Sequence, residues 1–530
     1  MQERLGILIA RTQNSGFLKA AGGRVRAIIA KTMICVRKIP GRCRGEKSSK
    51  YVGSANLNGK RTGALCVSLG LIGLAAAGCI AYKPKPITAA AVMGDFEARR
   101  LDAPDLTDFL QTRQGVKEWP PKAWDLHALT LAAFYYHPDL DVVRAQWGTA
   151  QAGRITAGES PNPTLSLLGG YNSTTPVSEI TPWIPETSLE IPIETAGKRG
   201  YRIDQARHLS EAARLNIWTA AWDVRNRLRQ AYLDLYGARE TDALLARQLE
   251  IQTENVKILE AQLAVGEASP ADVTQARLAL DASRLAAIDA ANQAAAARVR
   301  LSSAVGVPAA ALDGLAVSFD GLAQVKPELP VLEIRRRALV NRTDILGSLS
   351  EYDAAQSALR LEIAKQYPDI SLGPNFQLDQ TDAKWTLGLS FILPLLSRNK
   401  GPIAEADARR TEAAAKFLAL QAKVIGDLES AMTATRSAAD KARAADDMLA
   451  NLRRQEAAAQ ARYALGDISK LELLGLQLEL AASALARLDA VVKAQQAVGD
   501  LENAMQSPLD IKEWVLETPV RTPGQAKERK

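Results

Sequence analysis

The chain writes one plan twice. Ala-Val-Gly-Glu-Ala-Ser at 264–269 answers Ala-Leu-Gly-Asp-Ile-Ser at 464–469, Asp272 answers Glu472, and Leu278 and Leu280 answer Leu478 and Leu480. Pro192 to Ala206 aligns with Pro394 to Ala408, Asp139-Leu140 with Asp344-Ile345, and Pro163 with Pro368. The matches keep their order at a nearly constant offset, which marks an internal repeat. The two units run roughly over 123–305 and 331–508, joined by a Pro-bearing linker at 306–330. Ahead of them stand a basic extension and leader at 1–78 and a segment at 79–122, and a polar tail at 509–530 follows. That tail reads as poorly ordered.

Each unit contains two short segments of period two. Leu165, Leu167, Gly169 and Tyr171 alternate with Thr164, Ser166, Leu168 and Gly170, and Leu189, Ile191 and Ile193 alternate with Ser188, Glu190 and Pro192. In the second unit Ile370, Leu372, Phe376 and Leu378 face away from Asp369, Ser371, Asn375 and Gln377. Trp385, Leu387, Leu389 and Phe391 likewise face away from Lys384, Thr386, Gly388 and Ser390. Such alternation gives a strand one apolar and one polar face. Four strands of this kind, apolar outward and polar inward, fit the wall of a transmembrane β-barrel. A small amphipathic sheet packed on helices is the plainer reading. Four strands cannot close a barrel, and open edges do not survive in lipid. If the strands span a membrane the chain must therefore oligomerise, and three copies supply twelve strands.

The rest of each unit is helical. A helix is expected at 139–158 and again at 344–366. No Pro interrupts the stretch from Tyr201 to Val265 or the one from Ile403 to Leu465. A helix of that length reaches about 90 Å at 1.5 Å per residue. Return helices are expected over 271–304 and 470–505. Leu471, Leu474, Leu478, Ala481, Leu485, Leu488 and Val492 step by three and four, as do Leu245, Leu249, Gln252, Val256, Leu259 and Leu263. This is the seam of antiparallel coiled-coil hairpins, with many Ala letting the helices approach closely. The expected class is mostly α with a membrane β-barrel portion and an internal duplication.

Charge sorts the remaining functions. The net charge is +7, but 14 of the 66 Lys and Arg fall in the first 62 residues with only 2 of the 59 Asp and Glu. The remainder carries 52 positive against 57 negative charges. It lacks the basic face that nucleic acid requires. The basic stretch precedes an apolar run from Gly63 to Gly78, too short for a membrane span and suited to the core of an export signal. The run ends Ala76-Ala77-Gly78-Cys79, similar to the lipobox of bacterial lipoproteins, where Cys79 becomes a lipidated N-terminus; ordinary cleavage beside an incidental Cys is the other reading. Cleavage there removes Cys35, Cys43 and Cys66 and leaves no intrachain disulfide. The three histidines, His127, His137 and His208, are scattered, and no phosphate loop, metal-ligand spacing or catalytic triad stands out. The chain reads as a non-enzyme with no cofactor and no resident metal.

These residues together resemble the TolC-type outer-membrane efflux proteins, over about 79–508. The most specific stretch is Glu190-Ile-Pro-Ile-Glu-Thr-Ala-Gly-Lys-Arg199, with its partner Leu393-Pro-Leu-Leu-Ser-Arg-Asn-Lys-Gly401. Both are similar to stretches of the CzcC-like heavy-metal subgroup, departing at Thr195-Ala196 and Leu396-Ser397. The resemblance implies a homotrimer whose four strands per protomer complete a twelve-stranded barrel in outer-membrane lipid. Long helical hairpins continue it as an α-barrel through the periplasm. It implies a periplasmic adaptor (membrane fusion) protein and an inner-membrane resistance–nodulation–division transporter as partners, and passive conduction of heavy-metal cations as the function. The same duct carrying drugs, solvents or a secreted protein is the close alternative. A structural periplasmic coiled-coil lipoprotein is the alternative of another class, and it leaves the four alternating strands without a purpose. The tips Val265-Gly266-Glu267 and Leu465-Gly466-Asp467 are placed by the resemblance where the adaptor is met. Glu472 is placed by the resemblance where an acidic ring constricts the periplasmic entrance, and Asp272, its repeat counterpart, is the other candidate for that gate. A tight turn explains the glycines equally, and a helix N-terminal charge explains the carboxylates.

Overall fold

A computed structural model describes residues 82–114, 119–174, 181–322, 331–379, 382–394 and 396–509. Cys79, the leader and the tail beyond 509 lie outside the described residues. Among the described residues four helices come first, α1 (Ala89–Glu97), α2 (Pro104–Gln114), α3 (Leu126–Tyr136) and α4 (Pro138–Gly158). Strands β1 (Thr164–Tyr171) and β2 (Trp183–Ile193) follow, then the 67-residue α5 (Lys198–Ala264) and its 36-residue return α6 (Pro270–Val305). A short 3-10 turn and α7 (Val331–Asn341) lead into the same order again. The second pass is α8 (Thr343–Ala364), β3 (Ile370–Asp379), β4 (Asp382–Phe391), the 65-residue α9 (Lys400–Ala464) and the 36-residue α10 (Lys470–Met505).

The long helices persist because nothing in them breaks the ladder. At 1.5 Å per residue α5 runs about 100 Å, somewhat longer than its Pro-free stretch because three residues before Tyr201 are already helical. Strand β2 begins at Trp183, ahead of the alternation at 188–193. Both hairpins turn the same way, with Gly266 at φ +81° and Gly466 at φ +79°. The backbone there is left-handed, where a side chain is strained and glycine is not.

Packing along the hairpins is thin and alanine-rich. Of the seam in α10, Leu474, Ala481 and Leu488 are buried, while Leu471, Leu478, Leu485 and Val492 are half-buried. Small clusters such as Val256, Ala276 and Leu280, or Ala442, Ala490, Val491 and Ala494, hold each pair of helices together. The largest core lies partway along α5, where α2, α3 and the 307–322 segment wrap residues 221–236. Trp124 bridges to this segment by its own backbone, its N–H donating to Ala316 O at 2.8 Å and its carbonyl accepting from Ser318 N at 3.0 Å. Arg99 adds a second tie, donating to the carbonyls of Tyr136 at 2.9 Å and Gly306 at 2.7 Å. A belt of aromatic and aliphatic burial therefore fixes the middle of α5 and leaves the tips to the hairpin seams alone.

The four strands form one antiparallel sheet in the order β1-β2-β3-β4. Its central pairing, β2 with β3, joins the two repeats, with Ile193 opposite Ile370 and Ile191 opposite Leu372. The outer pairings set Leu165 opposite Leu189 and Leu372 opposite Leu389. β1 and β4 are the sheet's edges.

Candidate conduit surfaces

Register decides what each face of the sheet presents, since directly opposed residues share a face. One face carries Leu165, Leu167, Tyr171, Trp183, Leu189, Ile191, Ile193, Ile370, Leu372, Phe376, Leu378, Trp385, Leu387, Leu389 and Phe391, with Thr187 as its polar exception. Those on β1 and β4 stand open in the single chain, Leu167 at 73% exposed, Leu387 at 71% and Trp385 at 77%, while those on β3 are half-buried. At the hairpin ends Tyr171 meets Trp183 edge-on at 5.1 Å and Phe376 meets Trp385 at 4.7 Å. The opposite face carries Ser166, Ser188, Ser371, Asn375, Gln377, Thr386 and Ser390, with Leu168 and Ile184 as apolar exceptions. A large apolar patch that the chain itself does not cover marks contact with lipid or another protein.

The joint between sheet and helices is built from the most specific sequence motif. The backbone passes from β2 to α5 through Ala196 (φ +55°) and Gly197 (φ +72°), and from β4 to α9 through Arg398 (φ +47°) and Asn399 (φ +55°). Two successive left-handed residues turn each strand sharply into its helix. The Lys198 ammonium is buried and donates to Tyr367 O and Asp369 Oδ1, both at 2.7 Å. Thr195 donates its N–H to Asp369 Oδ1 at 2.9 Å and its hydroxyl to Pro368 O at 2.6 Å. The Arg202 guanidinium grips both oxygens of Glu194, at 2.6 and 3.2 Å, and donates to the carbonyls of Ala157 and Glu159 at the end of α4. Arg199 adds Gly158 O at 2.8 Å. These charge-assisted bonds fasten four chain segments at one point. The second repeat uses a lighter tie, Asn399 donating to Glu362 O at 2.7 Å and to its carboxylate at 3.0 Å.

At the far ends of the hairpins Val265 is 72% and Leu465 86% exposed, each beside its left-handed glycine. Glu267 and Asp467 close the turns through their N–H groups, to Gln262 O at 2.8 Å and Arg462 O at 3.0 Å. The Asp467 carboxylate also pairs with Arg462 at 2.9 Å, and Lys470 stands over the Tyr463 ring. Asp272 and Glu472 occupy the first turns of α6 and α10, but not alike. Asp272 completes a capping box, accepting from Ser269 N at 3.1 Å and from its hydroxyl at 2.7 Å. Those bonds hold its carboxyl below the usual range. Glu472 receives only the N-cap bond, its own N–H donating to Ser469 Oγ at 3.1 Å, and its carboxylate is not part of a box. Of the two, Glu472 is the one with its charge uncommitted to the cap.

The buried charge network at the root of α10 has no counterpart among the sequence expectations. Glu502 is 1% exposed and accepts from Arg225 Nη1 at 2.9 Å, from Arg229 Nη1 at 3.5 Å and from Leu509 N at 3.0 Å. Arg342 pairs with Asp344 and donates to the last carbonyls of α10. Nothing in the helical pattern distinguishes Glu502 from the solvated glutamates; the faint signal is a charge on the inward face of the last turns. His137 is buried as the N-cap of α4, its Nδ1 accepting from Asp139 N, as a helix-junction residue does. Among the described residues no three His, Cys, Asp or Glu side chains converge as metal ligands. No described helix is long and apolar enough to cross a membrane, which leaves the sheet untouched as a candidate.

A profile for the outer membrane efflux protein family matches residues 133–307 and 334–506, most of both strand-and-hairpin passes. The chain belongs to the outer membrane efflux protein family. Among curated proteins it is similar to the cobalt-zinc-cadmium resistance protein CzcC of Cupriavidus metallidurans, 26% identical over 295 residues, or 55% of this chain and 68% of that one. The fold matches the outer membrane protein VceC of Vibrio cholerae at TM-score 0.59 and 17% identity, covering 72% of this chain and 96% of that one. It matches CusC at TM-score 0.59 and 18% identity over 74% and 95%, and the Neisseria gonorrhoeae MtrE outer membrane channel at 0.58 and 16% over 72% and 89%. Membership places the chain among the outer membrane efflux proteins.

Proposed function

We propose that this chain is the outer-membrane channel of a tripartite resistance–nodulation–division efflux pump, passively conducting heavy-metal cations to the exterior. The observation that carries the reading is the four-stranded sheet: one face almost wholly apolar and largely open to its surroundings, the other mainly polar, and both edge strands without strand partners among the described residues. Three copies joined edge to edge, β1 to β4, satisfy the edges and turn the apolar faces to lipid, giving a twelve-stranded barrel. The hairpins then continue the pore as an α-barrel through the periplasm. The exposed Val265, Gly266, Glu267 and Leu465, Gly466, Asp467 tips meet the adaptor, and the inner-membrane transporter loads it. Glu472, assisted by Asp272, rings the periplasmic entrance. Cys79 carries the lipid anchor once the leader at 1–78 is removed.

Heavy-metal cargo rests on the similarity to a cobalt-zinc-cadmium resistance protein and on the stretch from Glu190 to Arg199. The channel is tested by fractionation and bilayer recording. A heat-modifiable trimer in outer membranes with pore conductance is expected, and a salt-extractable monomer rules it out. The cargo is tested by deletion: cells should become sensitive to cobalt, zinc or cadmium. Unchanged metal tolerance with new sensitivity to drugs or solvents moves the assignment to that cargo.

A further inference from the structure

The polar face of the sheet is not neutral. The four strands contain five charged side chains, Glu186, Glu190, Asp379, Asp382 and Lys384, and the register puts all five on that one face. Lys384, the only basic residue in the strands, pairs with Asp379. Glu186 and Glu190 stand in the body of β2; no basic residue shares the level of Glu190, and Lys384, which shares that of Glu186 two strands away, is committed to Asp379. Asn375 reaches across from β3 and donates its amide to Glu186 Oε1 at 2.8 Å, which holds that carboxylate against the wall.

We propose that Glu186 and Glu190 make the barrel wall a cation-preferring filter in its own right, separate from the carboxylates at the hairpin tips. This rests on the barrel reading. In a trimer the two residues become two rings of three carboxylates, about 13 Å apart at 3.3 Å per residue. They act through their field on passing ions rather than as a binding site, since conduction requires that each ion leave again. With strands 4.8 Å apart and tilted, twelve of them make a barrel of about 12 Å radius, so the carboxylates stand roughly 10 Å from the axis. At that distance, and with a Debye length of about 10 Å in 0.1 M salt, each ring enriches cations and depletes anions by about twofold each, which changes the cation-to-anion permeability ratio by about fourfold.

The test is reversal potential in planar bilayers under a KCl gradient, using the full-length trimer, Glu186→Gln, Glu190→Gln, the double variant and Glu472→Gln. Gln keeps the shape and the Asn375 contact, and the heat-modifiable band on gels verifies assembly. The double variant should lose about sixteenfold of the ratio near 0.1 M, and the loss should shrink near 1 M, where the Debye length is about 3 Å. An assembled, conducting double variant with the wild-type ratio overturns the wall filter and leaves the barrel standing. A loss that persists undiminished near 1 M overturns the field mechanism. A wild-type chain that neither trimerises nor conducts overturns the barrel itself.

Discussion

Glu502 should be among the most costly surface-remote positions in the chain. Its carboxylate is buried between two guanidiniums, Arg225 at 2.9 Å and Arg229 at 3.5 Å, and also accepts from the Leu509 backbone. Gly499 makes the arrangement possible: a Cβ there would lie 2.8 Å from Arg229 Nε, so the helix face must be bare for the arginine to cross it. Glu502→Leu strands two buried cations and an amide, and breaking a buried pair from one side costs about 3–5 kcal/mol. Glu502→Gln keeps the acceptor for Leu509 N but removes the charge, at about 1.5–3 kcal/mol. The assay is denaturant unfolding of the detergent-purified trimer at fixed protein concentration, because assembly contributes to the midpoint. A double-mutant cycle with Arg225→Met should return a coupling of about 1–3 kcal/mol, with the double variant less damaged than the sum of the singles. If Glu502→Leu lies within about 1 kcal/mol of wild type, or if the cycle shows no coupling, the network does not hold α10 to α5.

Ala196 sits at φ +55° beside Gly197, so Ala196→Gly should relieve left-handed strain and raise the melting temperature by an amount matching about 1 kcal/mol; a fall would show that the side chain is wanted there. Burial lowers the His137 imidazole pKa, with Asp139 and Asp141 opposing and Arg227 reinforcing the shift. A group so depressed keeps its full contribution above its ordinary value of 6.5, and stability is lost as pH falls through that value towards the folded one. His137→Gln should therefore flatten the stability profile below pH ~6.5, and an unchanged slope would place the acid sensitivity elsewhere. At the tips, Glu472→Gln should weaken cation preference in bilayers, whereas Asp272→Asn should chiefly weaken the α6 cap and lower the melting temperature; the reverse pattern would exchange their roles.

Periodicity made most of the architecture legible. Alternation located the strands because one face had to differ from the other, and Pro-free runs located the long helices because nothing else stops them. The mid-helix belt was not legible. Trp124, Arg99 and the 307–322 segment converge on α5 through contacts separated by up to about two hundred residues, and no local pattern encodes such a meeting. The Glu502 network was hidden for a related reason: a buried glutamate and an exposed one look alike on a helix rich in both. Ser269 and Ser469 look equivalent in sequence, yet only the shorter Asp272 side chain folds back on its cap, which separates the two candidate gate carboxylates.

The stretch from Glu190 to Arg199 changes meaning once its bonds are known. Glu194, Thr195, Lys198, Arg199 and Arg202 are committed to Asp369, Pro368, Tyr367 and the end of α4, and none of them is left facing a passing ion. The motif therefore fastens the sheet to the helices in this chain. It bears on cargo through kinship and not through contact. Charges able to act directly on a moving cation are those that the joint does not use, Glu186 and Glu190 on the wall and Glu472 at the tip. A Lys198→Met chain should consequently lose trimer stability while any surviving channels keep their ion preference, and a changed permeability ratio in those channels would put the joint in the conduction path after all.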